Sequence, residues 1–599
     1  MKDFGWVLRV DLSNRVVLRE PVDRIMLRNY IGGRGYATKM LYNELPAGID
    51  PLSPQNKLIF ICGPLTGSSA PASGRHMVVT KSPLTGYIAS SNSGGFWGAE
   101  LARAGIFALV LEGKAPAPTW LLVRDGEIVF QDASSLWGLN VAETTDRLLQ
   151  EAGDDKARVA CIGPAGERLS RLASIMNEKH RAAGRSGVGA VMGSKNLKAI
   201  VVRGTDTPYA HDMPALRDAL REGIRKIKEN GVTSKGLPAY GTPVLVNIIN
   251  QTGGYPYRNW QESYMDAAES QSGETLAEKY LTKNAACFGC PIGCGRVTSV
   301  DGEHGEGPEY ESIWSLGASC GVEHLPHIIR ANYLCNKLGL DTISAGSTVA
   351  AAMELYEKGF IPEEDLAGGP KPVFGDGEAL EYWIGKMGLG EGPLGSRLAQ
   401  GSYRLGEAYG HPEFSMTVKK QEMPAYDGRA IQGIGLTYAV SNRGGCHVRG
   451  YLISPEILGL PEKIDPEDFA SKPQWAKIFH DLTAAIDSAG LCLFSSFALG
   501  AEDYASYLKA ATGFDYTADE VMTCGDRIWT LERLFNLREG LTSAEDTLPK
   551  RLLTEPIATG PMAGKKSHVP EMVPEYYRLR GWNEQGIPAP EKLRELGMR

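Results

Sequence analysis

The sequence predicts an α+β protein of several domains, with a β-rich N-terminal domain followed by two mainly α-helical ones. Three observations predict this. The first two hundred residues carry short β-branched runs closed by Gly, Pro or Asn. From Met213 onward apolar residues recur at three- and four-residue spacing, the period of a helix. At 599 residues the chain also exceeds what one hydrophobic core organises. The expected division is 1–209, 210–415 and 416–599.

In the first part GWVLRVDL, NRVVLREPV, KLIFICGPL, HMVVTKSPL, FALVLEG, TWLLVRDGEIVFQ, ARVACIG and LKAIVVRG read as strands, the last ending near Arg203. Between them lie three polar turns: SGRHMVV with Arg75, ASSNSGGFWG with Asn92, Gly94 and Gly95, and HRAAGRSGVG with Arg181, Ala182, Ala183, Gly184 and Arg185. Glycine beside Arg and Asn suits an anion, because backbone N–H groups close on it while guanidinium groups grip it from the side. None of the three matches a P-loop or a dinucleotide fingerprint. Together they suggest a large phosphate-bearing cofactor.

In the second part ALRDALREGIRKIKEN, HIIRANYLCNKLGL, ISAGSTVAAAMELYEKG and ALEYWIGKMGLG read as helices. The third opens with EMPAYDGRAIQGIGLTYAVSNRGGCHVRGY, which shows few regular features. Helices follow over QWAKIFHDLTAAIDSAG and DRIWTLERLFNLREG, and the tail after Pro556 reads as a surface wrap.

Within the second part NAACFGCPIGCGRV sets Cys287, Cys290 and Cys294 at C-x2-C-x3-C spacing. Thiolates this close converge on a soft metal centre, and such runs ligate iron–sulfur clusters. A cubane cluster takes a fourth ligand, for which Cys492 in IDSAGLCLF is the candidate. Zinc, a disulfide pair and unligated thiols remain as other readings, although zinc usually takes two close pairs of ligands. One internal echo bears on this. Asn336-Lys-Leu-Gly339-Leu340-Asp341 and Asp487-Ser-Ala-Gly490-Leu491-Cys492 share the form [ND]-x-x-G-L-[DC], each closing a helix-like run. Two ordinary helix caps would also look like this. The second copy, however, ends on the proposed fourth ligand, which suggests two equivalent sites for two similar ligands.

Composition narrows the class further. The hydrophobic share of 43% and charged share of 22% are those of an ordinary globular protein. The net charge of −8, without a long Lys/Arg block, gives no footprint for nucleic acid. The start MKDFGWVLRVDLSN lacks an apolar signal core, and no long apolar run occurs, so no membrane span and a cytoplasmic chain are expected. Ten cysteines without a secretion signal fit reduced thiols and metal ligands better than a disulfide framework.

In these residues the chain resembles the tungsten-containing aldehyde:ferredoxin oxidoreductase family over essentially its full length. The resemblance rests on the C-x2-C-x3-C run with its distant Cys, the two echoing motifs, and the R-A-A-G-R and G-P-E-Y-E stretches. It implies a tungsten ion held by the dithiolenes of two pterins, a nearby 4Fe-4S cluster, and a β-rich domain forming the base for this bis-pterin cofactor. Cys287, Cys290, Cys294 and Cys492 would be the cluster ligands, and Arg75 would bridge the cluster side and a pterin. Asn92 and the Ala182 carbonyl would hold Mg2+ between the pterin phosphates, with Gly94, Arg181, Ala183 and Arg185 beside them. Asn336, Leu340, Asp341, Asp487 and Leu491 would bond the pterin rings, and Arg443, Gly444 and Arg449 would touch the cofactor.

The resemblance also implies chemistry: aldehyde oxidation to carboxylate with water as the oxygen source. In GEGPEYESIW Glu311 would act as general base and Tyr310 would orient substrate, while His447 in NRGGCHVRG would donate to the aldehyde oxygen. Two departures stand out. Asn336 replaces an acidic residue, and RANY stands near Arg330 where some members carry an iron-binding E-x-x-H. No bridging iron between subunits is therefore expected. Ferredoxin, or ferredoxin-like and flavin-containing partner subunits, would take the electrons, in a hetero-oligomer or a homodimer. Competing readings are a bis-tungstopterin subunit of a low-potential aromatic acyl-CoA (benzoyl-CoA) reductase, a non-enzymatic electron carrier, and molybdenum in place of tungsten. Cys320 reads as a small buried residue or a thiol near the metal. Tyr255, Tyr257, Trp260 and Trp314 read as an aromatic pocket or as core.

Overall fold

The computed structural model describes residues 4–598. It has a β-rich region over 6–203 followed by mainly helical segments. The first sheet contains β1 (Trp6–Asp11), β2 (Val16–Pro21), β3 (Leu58–Cys62), β4 (His76–Lys81), β5 (Ile88–Ser93) and β6 (Ile106–Glu112), in the order β2-β1-β6-β3-β4-β5. The second contains β7 (Thr119–Arg124), β8 (Glu127–Asp132), β9 (Arg158–Cys161), β10 (Ile175–Asn177), β11 (Arg181–Ala183) and β12 (Leu197–Arg203), in the order β8-β7-β12-β9-β10-β11. Each sheet pairs its strands antiparallel except at one parallel ladder, β1 with β6 and β7 with β12.

The period of two along each strand builds a layered core. Leu58 and Phe60 face the space between the sheets, where they meet Leu109, Leu121, Ile200 and Val202. Ile59 and Ile61 face the other way, onto Tyr36, Ala37 and Leu41 of the helix Gly33–Glu44. On the far side Val159, Cys161, Ala199 and Val201 bury Leu148 of the helix Val141–Ala152.

The second sheet repeats the first strand for strand, since adding six to each label of the first order gives the second. The repeat extends to the loops. Gly63 stands just beyond β3 and Gly163 just beyond β9, each followed by Pro. A Cβ on Gly63 would lie 2.1 Å from the carbonyl carbon of Ala489, and one on Gly163 would lie 2.3 Å from the Leu338 oxygen. Each sheet therefore seats the end of one helix, Lys472–Ala489 on the first and Leu325–Leu338 on the second. Both helices close on a left-handed glycine, Gly490 (φ 87°) and Gly339 (φ 74°). The two echoing motifs are thus helix caps and equivalent docking points at once.

Four sequence expectations are corrected. The ASSN stretch is not a turn: β5 holds Asn92 in register with Met77 of β4. The RAA of the third turn is the edge strand β11, which pairs Ala182 with Met176 of β10. In the third part the helix Gln432–Val440 is fully buried within the supposedly irregular segment. The tail is not a mere wrap, because the helix Val569–Arg580 buries Tyr576, Tyr577 and Arg580, and the Arg580 guanidinium reaches Asp481 at 2.5 Å.

Candidate cofactor and active site

The cysteine run lies on a small antiparallel sheet of β13 (Leu281–Ala285), β14 (Gly295–Val300) and β15 (Glu303–Glu306). Ala285 pairs with Gly295, so residues 286–294 form the connecting loop. Gly289 (φ 62°) and Gly293 (φ 63°) adopt left-handed backbone there, which turns the chain sharply enough to bring the thiols inward. Ala72 ties in the distant fourth residue: its N–H donates to the Gly289 carbonyl at 2.9 Å, and its carbonyl accepts from Cys492 N–H at 3.1 Å. Cys287, Cys290, Cys294 and Cys492 line one small cavity with Arg75, Arg181 and Phe494.

All ten cysteines are free thiols, which sets the disulfide reading aside. Among the described residues no three His, Cys, Asp or Glu side chains converge as a single metal ion requires. Burial, then the neighbouring negative groups, push the Cys290 and Cys294 thiols up. The nearby Arg75 guanidinium favours thiolates here, and a cationic centre among them would favour them further.

Arg75 joins this cavity to the base of the fold. Its guanidinium donates to Cys492 Sγ at 3.1 Å and to Asn92 Oδ1 at 3.2 Å. Asn92 in turn donates to Asp487 Oδ1 at 3.0 Å, and Arg449 holds the other Asp487 oxygen at 2.6 Å. Arg185 mirrors Arg449 on the second sheet's side, donating to Asp341 at 3.1 Å. Arg443 donates to the Ser90 carbonyl at 2.7 Å and has no carboxylate partner among the described residues, with its Nε left buried and unpaired. Leaving a buried guanidinium without an anion costs on the order of several kcal/mol.

A cavity of about 330 Å³ continues from Cys287 and Cys294 past Arg75, Arg181, Ala182 and Asp341 to Glu311, His447, Tyr310, Tyr426 and Tyr451. Glu311 sits in the first turn of the helix Tyr310–Leu316. One oxygen accepts Ala425 N–H at 2.9 Å. The other is unpaired and stands 3.6 Å from His447 Nε2. Burial pushes the Glu311 carboxyl up to about 8. Burial, with Arg185 and Arg443 nearby, holds His447 well below the usual histidine range, so its ring is neutral. The pair is thus a protonatable carboxyl facing a neutral imidazole whose Nδ1 is also unpaired. His180 Nδ1 is a further unpaired buried atom on the same cavity. Orphan polar atoms, cationic side chains and thiols on one connected space fit a large, polar, anionic cofactor.

Residues 7–204 match the family description "Aldehyde ferredoxin oxidoreductase, N-terminal domain", and residues 218–598 match "Aldehyde ferredoxin oxidoreductase, domains 2 & 3". The chain belongs to the aldehyde ferredoxin oxidoreductase family. It is 53% identical to the tungsten-containing aldehyde ferredoxin oxidoreductase of Pyrococcus furiosus, over 100% of this chain and 99% of that one. Identity to the protein of the same name from Thermococcus kodakarensis is 51%, over 100% and 99%. Among solved structures, the active site complex BamBC of benzoyl coenzyme A reductase with 1,5-dienoyl-CoA superposes with a TM-score of 0.87 at 25% identity, covering 100% of this chain and 97% of that one.

The fold brings most of the residues expected from the family resemblance to this space, but not all of their side chains. Gly94 lies against the cysteine loop, where a Cβ would meet Cys287 Sγ at 2.8 Å. Arg181 pairs with Glu306 at 3.0 Å, and Asn336 donates to the Glu306 carbonyl at 3.4 Å. Leu340 lines the cavity. Ala183 instead points into the core between the sheets, and Leu491 is core as well. Gly444 (φ 94°) packs on Gln421 and the Val418 carbonyl. Tyr310 donates to the Ala425 carbonyl at 2.8 Å, so its ring forms wall and its hydroxyl is already engaged. Cys320 packs on the carbonyls of Ser315 and Gly346 at 3.4 and 3.2 Å and is a buried structural thiol. Trp260 and Trp314 form an edge-to-face pair 5.8 Å apart in the core, and Tyr255 is buried too. The aromatic residues on the cavity are Tyr310, Tyr426, Tyr451 and Phe494. Sequence reading missed Tyr426, Tyr451 and His180, whose only signal is position beside AYDG, HVRG and HRAAG.

Proposed function

We propose that the chain oxidises aldehydes to carboxylic acids with a tungsten bis-pterin cofactor, and passes the electrons through a 4Fe-4S cluster to ferredoxin or an electron-transfer partner subunit. One observation carries this reading: two adjoining cavities that share Arg75, Arg181, Cys287 and Cys294 are lined by all four cluster thiols on one side and by the Glu311–His447 pair on the other. When bound, the tungsten centre would supply the two-electron acceptor that these side chains lack. Arg75, Arg185, Arg443 and Arg449 would neutralise the cofactor's anionic groups, with Asp341 and Asp487 receiving pterin N–H donors. Asn92 and Ala182 occupy equivalent register positions on the two repeated sheets. These two positions would hold a Mg2+ that neutralises the cofactor's phosphates.

Around the substrate, His447 would donate its N–H to the aldehyde oxygen and favour the charge that develops there. Glu311, ionised, would take the proton from the attacking water. Tyr310, Tyr426, Tyr451 and Phe494 would exclude bulk water and favour an apolar substrate body. Where some family members carry an iron-binding motif, Arg330 is ion-paired to Glu381 and Asp301 at 3.1 and 2.6 Å, which supports assembly without a bridging iron. A cytoplasmic setting fits the ten free thiols; among the described residues no helix is long and apolar enough to cross a membrane.

The likeness to the benzoyl coenzyme A reductase complex favours one second reading, a bis-pterin subunit acting on an aromatic acyl-CoA. Anaerobically purified protein separates the two. Aldehyde-dependent reduction of benzyl viologen supports the first, and viologen-linked oxidation of a dienoyl-CoA without any aldehyde activity supports the second.

A further inference from the structure

We propose that the surface formed by Phe96, Phe288, Arg103 and Arg158 docks a small acidic one-electron carrier protein. This rests on the reading of the cysteine loop as the cluster's ligand loop. Phe288 follows Cys287 directly, and its N–H is fixed by the Gly95 carbonyl at 3.0 Å. Ala286, Gly289 and Pro291 of the same loop are exposed, so this is where the cluster-binding region comes nearest to solvent.

Phe96 remains 40% exposed beside it and meets Phe288 edge to face at 6.3 Å. Each ring carries a cation on its face: Arg103 lies 5.4 Å from the Phe288 centroid and Arg158 lies 5.6 Å from that of Phe96. Neither cation has a carboxylate closer than 4.0 Å, although Arg158 lies near enough to Glu178 to act on its charge. The nearest acid to Arg103 is Glu100 at 4.0 Å, and Glu100 is already held by Arg203 at 2.8 Å and by Gly204 N–H at 3.0 Å. Arg158 donates to the carbonyls of Asp155 and Ala157. Glu178 is buried and accepts from Phe96 N–H at 3.0 Å.

Charge selects the partner. The chain carries a net charge of −8, so an acidic carrier is repelled over most of the surface and attracted where partly exposed cations lack a close ion pair. An exposed Phe96 beside a half-buried Phe288, flanked by arginine, is also the composition of an interface centre.

The test uses holoenzyme purified anaerobically, with an acidic two-cluster bacterial ferredoxin as the probe. Isothermal titration of the oxidised ferredoxin at low ionic strength needs no turnover. Ferredoxin reduction during aldehyde oxidation gives KM, and benzyl viologen reduction monitors the underlying chemistry. Arg103→Glu with Arg158→Glu should weaken binding and raise KM by about 10- to 100-fold and flatten the salt dependence. Viologen rates should stay at the wild-type level, as should ferredoxin binding by Arg578→Glu on the C-terminal helix. If the double variant fails to fold, Phe96→Ser should show the same selective loss. Wild-type binding and KM in the double variant, or no ferredoxin binding by the wild type at low salt, overturns the proposal. Absence of viologen-linked aldehyde oxidation in the wild type would instead overturn the proposed reaction, and the titration would still decide the docking surface.

Discussion

The guanidinium of Arg75 spans 3.1 Å to the sulfur of Cys492 and 3.2 Å to the amide oxygen of Asn92. One buried cation therefore touches both the thiol cavity and the chain of side chains that leads to Asp487. A donor on a cluster sulfur stabilises the reduced, more negative cluster and raises its potential. A hydrogen bond to a charged group contributes about 1.5–3 kcal/mol. Arg75→Met should therefore lower the midpoint potential by on the order of 100 mV, read by EPR-monitored redox titration. An unchanged potential with an intact cluster would remove Arg75 from that role.

Glu311 provides the pH test. Its buried carboxyl is raised to about 8, so the ionised, base-competent fraction grows as pH rises and is nearly full only above that value. At pH 6 only about 1% is ionised. kcat should therefore climb with pH through about 8, without a limb from His447, which is neutral throughout. Glu311→Gln should cut turnover by roughly two to four orders of magnitude and flatten the profile while leaving metal content unchanged.

Cys492 is the only proposed cluster ligand outside the 287–294 loop, and Ala72 links the two backbones by direct hydrogen bonds. Cys492→Ala should lose most of the iron, measured per chain by mass spectrometry. Retention of the wild-type iron content would show that another residue completes the site.

The glycine seats give a stability test. A Cβ on Gly63 would lie 2.1 Å from backbone that cannot move aside, whereas Gly153 (φ 62°) has open space around it. Gly63→Ala should destabilise by about 3 kcal/mol or more, and Gly153→Ala by about 1 kcal/mol. Thermal unfolding of both variants checks the contrast. It also tests whether the helix ending at Ala489 is held by contact with the first sheet.

How much of this was legible in the sequence depends on what each residue contacts. β3, β6 and β12 are β-branched runs ended by glycine or charge, and their pattern is local. IASSNS of β5 and RAA of β11 lack that pattern, because their burial comes from neighbouring strands and from the site. The helix Val569–Arg580 was hidden by two prolines. Pro570 falls in the first turn, where a missing N–H is harmless, and Tyr576 and Tyr577 supply the buried face. The cysteine spacing identified three thiols from chemistry alone. Cys492 became a partner only through the repeat, which seats its helix on Gly63. The cavity's tyrosines were not legible, since their role depends on which face of a glycine-rich segment turns inward.

The central claim is that these thiols and arginines hold a 4Fe-4S cluster and a tungsten bis-pterin. Tungsten, molybdenum and iron per chain, measured by mass spectrometry on protein purified anaerobically from cells supplied with both metals, test it most directly. The account predicts about one tungsten and about four iron per chain. Iron with neither tungsten nor molybdenum would contradict it, leaving an electron-transfer protein in place of an aldehyde-oxidising enzyme.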